Sequence, residues 1–130
     1  NNFLKKVFKY SLGISTIVFL LSVLLGEFSL LLVFGEEAKN SINIFYILSP
    51  LIIILPMAYL FFNVILLSFK LDKYFSKLYI IGGITNLSMI FILFQFLEKK
   101  IIAVSLSLLI TELLIMLLAY ILIKNKGLMD

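Results

Sequence analysis

The sequence predicts an all-α membrane protein, a polytopic bundle of four transmembrane helices, and three observations carry that expectation. The 130 residues are 63% hydrophobic and 14% charged, with a mean hydropathy of +1.21. A soluble domain carries about 25% charged residues and needs them to cover its core. Four apolar stretches, at residues 11–34, 44–69, 78–97 and 101–123, each reach the roughly 20 residues that cross a bilayer. None alternates with period two, so the closed barrel, the other structure that satisfies its own backbone in hydrocarbon, is excluded.

The first stretch is too long for the apolar core of a signal peptide, and no small-residue cleavage site follows it. It repeats serine every seven residues, at Ser15, Ser22 and Ser29, with Gly26 four residues after Ser22. Such a stripe of small residues predicts close approach of a neighbouring helix; the lining of a cavity is the alternative. Glu27 lies seven residues before the end of the stretch, roughly 10 Å deep at 1.5 Å per residue. It reads either as a neutral acid bonded to a neighbouring helix or as part of a polar path.

The second stretch holds both prolines, Pro50 and Pro56, in "YILSPLIIILP". A proline inside a helix deletes one hydrogen bond and clashes with the carbonyl four residues earlier. The carbonyls of Tyr46 and Ile52 therefore need other partners, such as a hydroxyl, a neighbouring helix or water. A helix bent or locally unwound at these positions is expected, with Asn63 adding a polar group beyond them. Broken helices beside cavities recur in transporters.

The third stretch contains "GGITN", which puts Gly82 and Asn86 on one face beside Thr85. Helix contact is the expected use, and a polar lumen the alternative for Asn86. In the fourth stretch Glu112 falls at the centre, where insertion of an ionisable group costs roughly 2.5–3.5 kcal/mol. Ser105, Glu112 and Ala119 share a stripe at steps of seven, so Glu112 is expected on a packed or lumenal face. Two readings stay open for it: a hydrogen bond between helices, or an ion or substrate path.

All eleven basic residues are lysine. Eight of them (Lys5, Lys6, Lys9, Lys70, Lys73, Lys77, Lys124 and Lys126) fall on one side if the four helices alternate in direction; Lys39, Lys99 and Lys100 fall on the other. Basic residues in short loops mark the cytoplasmic side, so both ends are expected in the cytoplasm. The lysines sit beside the spans and form no face suited to nucleic acid. Histidine, cysteine and tryptophan are absent, which removes the common metal ligand sets and nucleophile–base pairs, and no glycine-rich phosphate loop is present. No enzyme, metal or cofactor is expected.

Taken in order, "VFKYSLGISTIVFLLSVLL", "LLVFGEEAKNSINIFYILSPLIII", "LDKYFSKLYIIGGITNLSMIFIL" and "IIAVSLSLLITELLIMLLAYILIK" resemble the C-terminal part of the polysaccharide-biosynthesis membrane proteins. These are the O-antigen or lipid-linked oligosaccharide flippases of the multidrug/oligosaccharidyl-lipid/polysaccharide exporter superfamily. The likeness lies in a Phe-Gly-acidic turn at Phe34 to Glu37, Leu-Ser-Pro-Leu at Leu48 to Leu51, a basic loop at Lys70 to Lys77, Asn86 and Glu112. The resemblance implies the last four of about twelve helices, in a bacterial inner-membrane protein. It would move undecaprenyl-diphosphate-linked oligosaccharide by alternating access, with the remaining helices of the parent chain as partners. The chain departs from the pattern in "LEKKIIAVSLS", where relatives often have proline and glycine, and in Glu27. Its spans also carry no lysine for a lipid pyrophosphate. Two other functions fit the same residues. One is a cation-coupled multidrug or metabolite exporter working through Glu27 or Glu112; the other is a small noncatalytic four-helix subunit.

Overall fold

The computed structural model describes residues 2–128, and every regular element among them is helical. Helix α1 (Asn2–Phe34) leads through a 3-10 turn (Gly35–Ala38) into α2 (Lys39–Leu48), and α3 (Leu51–Tyr59) continues as a π-helix (Leu60–Leu66). Helices α4 (Asp72–Phe96) and α5 (Lys100–Asn125) follow. Three helical stretches, Asn2–Leu48, Asp72–Phe96 and Lys100–Asn125, are long and apolar enough to cross a membrane, while the apolar Leu51–Leu66 is shorter.

The first of these stretches is not straight. Gly35 adopts φ +66°, the left-handed conformation that ends helices at glycine at little steric cost. Beyond it the chain returns along α1. The Phe45 ring lies over Gly26, the Tyr46 hydroxyl donates to the Val23 carbonyl at 3.4 Å, and Phe61 stacks on Phe8 with centroids 5.7 Å apart. Of the small-residue stripe, Ser15 and Gly26 are buried against the returning chain, whereas Ser29 is exposed and lines an open groove with Ser22 and Phe45.

Both prolines act on the backbone, each differently. Pro50 stands at the start of α3 with φ −59°, a position that tolerates its missing N–H. The carbonyl it leaves free, that of Tyr46, accepts a hydrogen bond from the Ser49 hydroxyl at 2.8 Å. Pro56 sits inside α3, and four residues later the helix widens to the π form over Leu60–Leu66. Single-turn π segments of this kind are frequent at functional sites.

Helices α1, α4 and α5 also reach beyond the apolar stretches. Lys5, Lys6 and Lys9 are exposed on the first turns of α1, while Leu4 and Phe8, four apart, pack onto the core. Much of the expected basic loop is likewise helix, with Lys73 and Lys77 on α4. The turn that remains closes as a Schellman motif: Leu71 N–H donates to the Leu66 carbonyl (2.8 Å) and Lys70 N–H to that of Leu67 (3.1 Å). Lys70 takes φ +56° there, although glycine is usual at that position.

Helix α5 is the most buried of the spanning stretches. Ala103, Ser107, Thr111, Ile115, Ala119 and Ile123 recur every four residues and are all buried. This ridge receives α4 in antiparallel fashion; a Cβ on Gly82 would run into Ile115 Cδ1. The apolar core gathers at the end that holds the 67–71 turn and the C-terminus of α5. There Phe61, Phe62, Ile65, Leu66, Leu78, Ile115, Ala119 and Ile123 are buried, with Leu4, Phe75 and Leu128 against them.

Candidate functional site

A groove of about 400 Å³ opens between the π-helix, the end of α3, α4 and α5. Its walls carry Pro56, Tyr59, Phe62, Asn63, Tyr79 and Glu112. The volume falls within the range of small-molecule sites. Three positions singled out in the sequence, Pro56, Asn63 and Glu112, meet here although 56 residues separate the first from the last.

The local structure explains how each arrives. Glu112 follows Thr111, whose position on the every-fourth-residue ridge is buried against α4, so the glutamate is rotated about 100° from the ridge and is half-buried. Asn63 lies in the middle of the π-helix, where the wider turn shifts residue positions relative to an α-helix. The aromatic side of the groove is fixed by tilted ring contacts: Phe62 and Tyr79 rings lie 5.0 Å apart, and Phe75 closes the cluster at 4.8 Å from Tyr79. Tyr59 and Tyr79 are at least half exposed. Neither tyrosine is among the residues that the sequence singles out. Only the three-dimensional meeting of four segments identifies them.

Chemically the groove offers one carboxyl, one amide and two phenol hydroxyls among apolar and aromatic walls. It can accept and donate hydrogen bonds or hold a single positive charge at the carboxylate. Among the described residues, no group of three or more acidic, histidine or cysteine side chains could hold a metal ion.

The remaining sequence-selected residues lie elsewhere. Asn86 belongs to the α4–α5 seam, where its Nδ2 donates to Ser107 Oγ at 3.2 Å and Thr111 Oγ1 at 3.4 Å. Ser107 Oγ returns a bond to the Asn86 backbone carbonyl at 2.9 Å. That closed set is an interhelical clamp. Ser105, on the stripe of Glu112, is buried and donates to the Ile101 carbonyl at 2.8 Å. Glu27 is exposed on α1 and lines no part of the groove. Pro50 is at the α2–α3 junction, outside the groove walls.

Comparison with protein-family models, with curated proteins and with solved structures gives no match for this chain.

Proposed function

We propose that the chain is a membrane-embedded segment of a transporter, and that the groove at Glu112 forms part of its substrate or ion path. The carrying observation is the assembly of Glu112 and Asn63 in one open groove beside a broken, proline-containing helix. An ionisable side chain at mid-span is costly in lipid and is found where a bundle interior or watery cavity receives it. Glu112 stands 12 residues from the start of α5 and 13 from its end. Irregular backbone at membrane depth is tolerated where it borders such a cavity.

In this reading the residues from Lys39 to Leu66 form one interrupted crossing antiparallel to α1. That gives four crossings, with both ends of the chain on the side of the eight lysines, the cytoplasm. The substrate follows from the sequence resemblance: a lipid-linked oligosaccharide carried across a bacterial inner membrane on undecaprenyl diphosphate, for O-antigen or another surface polysaccharide. The parent chain's other helices supply the opposite wall and the positive charges that meet the pyrophosphate. A second reading, a cation-coupled exporter, is favoured by the Glu112 carboxyl itself.

Expression of the parent gene in a strain lacking its flippase tests the proposal. Restored surface polysaccharide is expected, with Glu112→Gln restoring less at equal membrane level. Failure of the unaltered gene at good membrane level overturns the oligosaccharide reading. Efflux of a small cation, lost in Glu112→Gln, would replace it with the exporter.

A further inference from the structure

A second groove, of about 230 Å³, shares no residue with the one at Glu112. Its floor is Met57 of α3 and Phe61 of the π-helix; its walls are Phe8 and Leu12 of α1 and Leu117 and Tyr120 of α5. Ring contacts hold the floor to both walls, with Phe61 stacked on Phe8 at 5.7 Å and lying 5.8 Å from Tyr120. The lining is apolar or aromatic throughout. Leu12, Leu117 and Tyr120 are exposed, so the groove opens outward, which in a membrane is toward lipid.

Both walls run into lysine at the same end. Leu4 and Phe8, at the start of α1, pack on the core that holds Ala119 and Ile123, at the end of α5, so the two helices are antiparallel. Lys5 stands seven residues before Leu12, and Lys124 seven residues after Leu117. A seven-residue step returns to within about 20° of the same face and advances about 10 Å. Lys9 lies three residues before Leu12, on the neighbouring ridge. All three lysines are exposed, and no described ion pair includes them. The described carboxylate at this end is Asp72, on α4. We infer that the groove binds an anionic glycerophospholipid of the bilayer. One acyl chain lies against Met57 and Phe61, and the charged headgroup meets Lys5, Lys9 and Lys124. An apolar trough that ends in cations matches such a lipid in the order of its own parts, chain and then phosphate. A neutral apolar helix would fill the trough and leave the three charges unmet. Each basic residue near an anionic headgroup adds about fivefold to binding. The site does not depend on the transport reading; it needs only that the chain lies in a membrane.

The chain lacks tryptophan, so one introduced by substitution reports its own lipid contacts. Leu117→Trp places it in the groove. Ile84→Trp places it on α4, exposed and outside the groove, seven residues beyond Lys77 and so at a matching depth. The full chain is reconstituted in vesicles of phosphatidylglycerol and phosphatidylcholine, with one or the other brominated on its acyl chains to quench tryptophan on contact. At position 117 the anionic lipid is expected to be preferred about fivefold or more; at position 84 the two lipids should quench about equally. Lys5→Gln, Lys9→Gln and Lys124→Gln together should abolish the preference at position 117. Lys70→Gln, Lys73→Gln and Lys77→Gln, which remove equal charge from the same end, should leave it in place. Equal preference at positions 117 and 84, or equal loss in both triple variants, would overturn the proposal in favour of general surface charge. A preference that survives the first triple variant would overturn it too. So would an absence of quenching at position 117 by either lipid, which would mean that another polypeptide segment fills the groove.

Discussion

Replacing Asn86 with alanine isolates the polar network that joins α4 to α5. The amide makes two interhelical hydrogen bonds, at 3.2 and 3.4 Å. Such bonds in membrane proteins average about 0.6 kcal/mol and reach about 1.7, and these two are on the long side. Ser107 keeps its 2.9 Å bond to the backbone carbonyl of residue 86, which the substitution leaves in place. Thr111 sits four residues beyond Ser107, so its hydroxyl can turn to the Ser107 backbone carbonyl. No buried group is stranded, and the expected loss is about 1.2 kcal/mol, or about eightfold in the unfolding equilibrium. Reversible unfolding in lipid–detergent bicelles measures it. A cycle of Asn86→Ala with Thr111→Val should show coupling of about 0.6 kcal/mol. Coupling of zero refutes the clamp; a loss above about 3 kcal/mol refutes the claim that the neighbours re-pair.

Two further substitutions test the packing. Gly82→Ala drives a methyl into Ile115 Cδ1 and should cost about 1–3 kcal/mol; Ile115→Val, which deletes that carbon, should recover part of the loss in the same unfolding assay. Lys70→Gly relieves a left-handed backbone at φ +56° and should raise stability by about 1 kcal/mol, whereas Lys70→Ala should not.

Much of the architecture can be read from residue type alone, because a bilayer makes hydropathy and length decisive. The stripe of Ser15, Ser22 and Gly26 and the pair of Gly82 and Asn86 announce helix contacts, since small side chains and amides have few other uses in lipid. The Tyr46 carbonyl freed by Pro50 predicts a substitute donor, and Ser49, one residue before the proline, supplies it. Other features depend on tertiary contacts. The start of α1 at Asn2 is hidden by Lys5, Lys6 and Lys9, which break the apolar run while Leu4 and Phe8 still pack. The interruption of the second apolar stretch divides it into α2, α3 and a π-helix, and hydropathy is blind to a change in hydrogen-bond step. The groove unites Pro56 and Asn63 of one helical segment with Tyr79 of α4 and Glu112 of α5, and no local spacing encodes the meeting of those three places. Lys70 in a left-handed position gives no sequence signal, since glycine would be the residue to expect there.

The most direct test concerns which side of the membrane each turn occupies. Lys73→Cys, on the first turn of α4, and Glu37→Cys, in the turn between α1 and α2, are each introduced into the cysteine-free chain. Intact cells are then treated with a membrane-impermeant thiol reagent. Four crossings with the lysine-rich end inside predict labelling at position 37 in intact cells, and at position 73 only after permeabilisation. Labelling of position 73 in intact cells, or of neither position after permeabilisation, would contradict that topology and the transport path built on it.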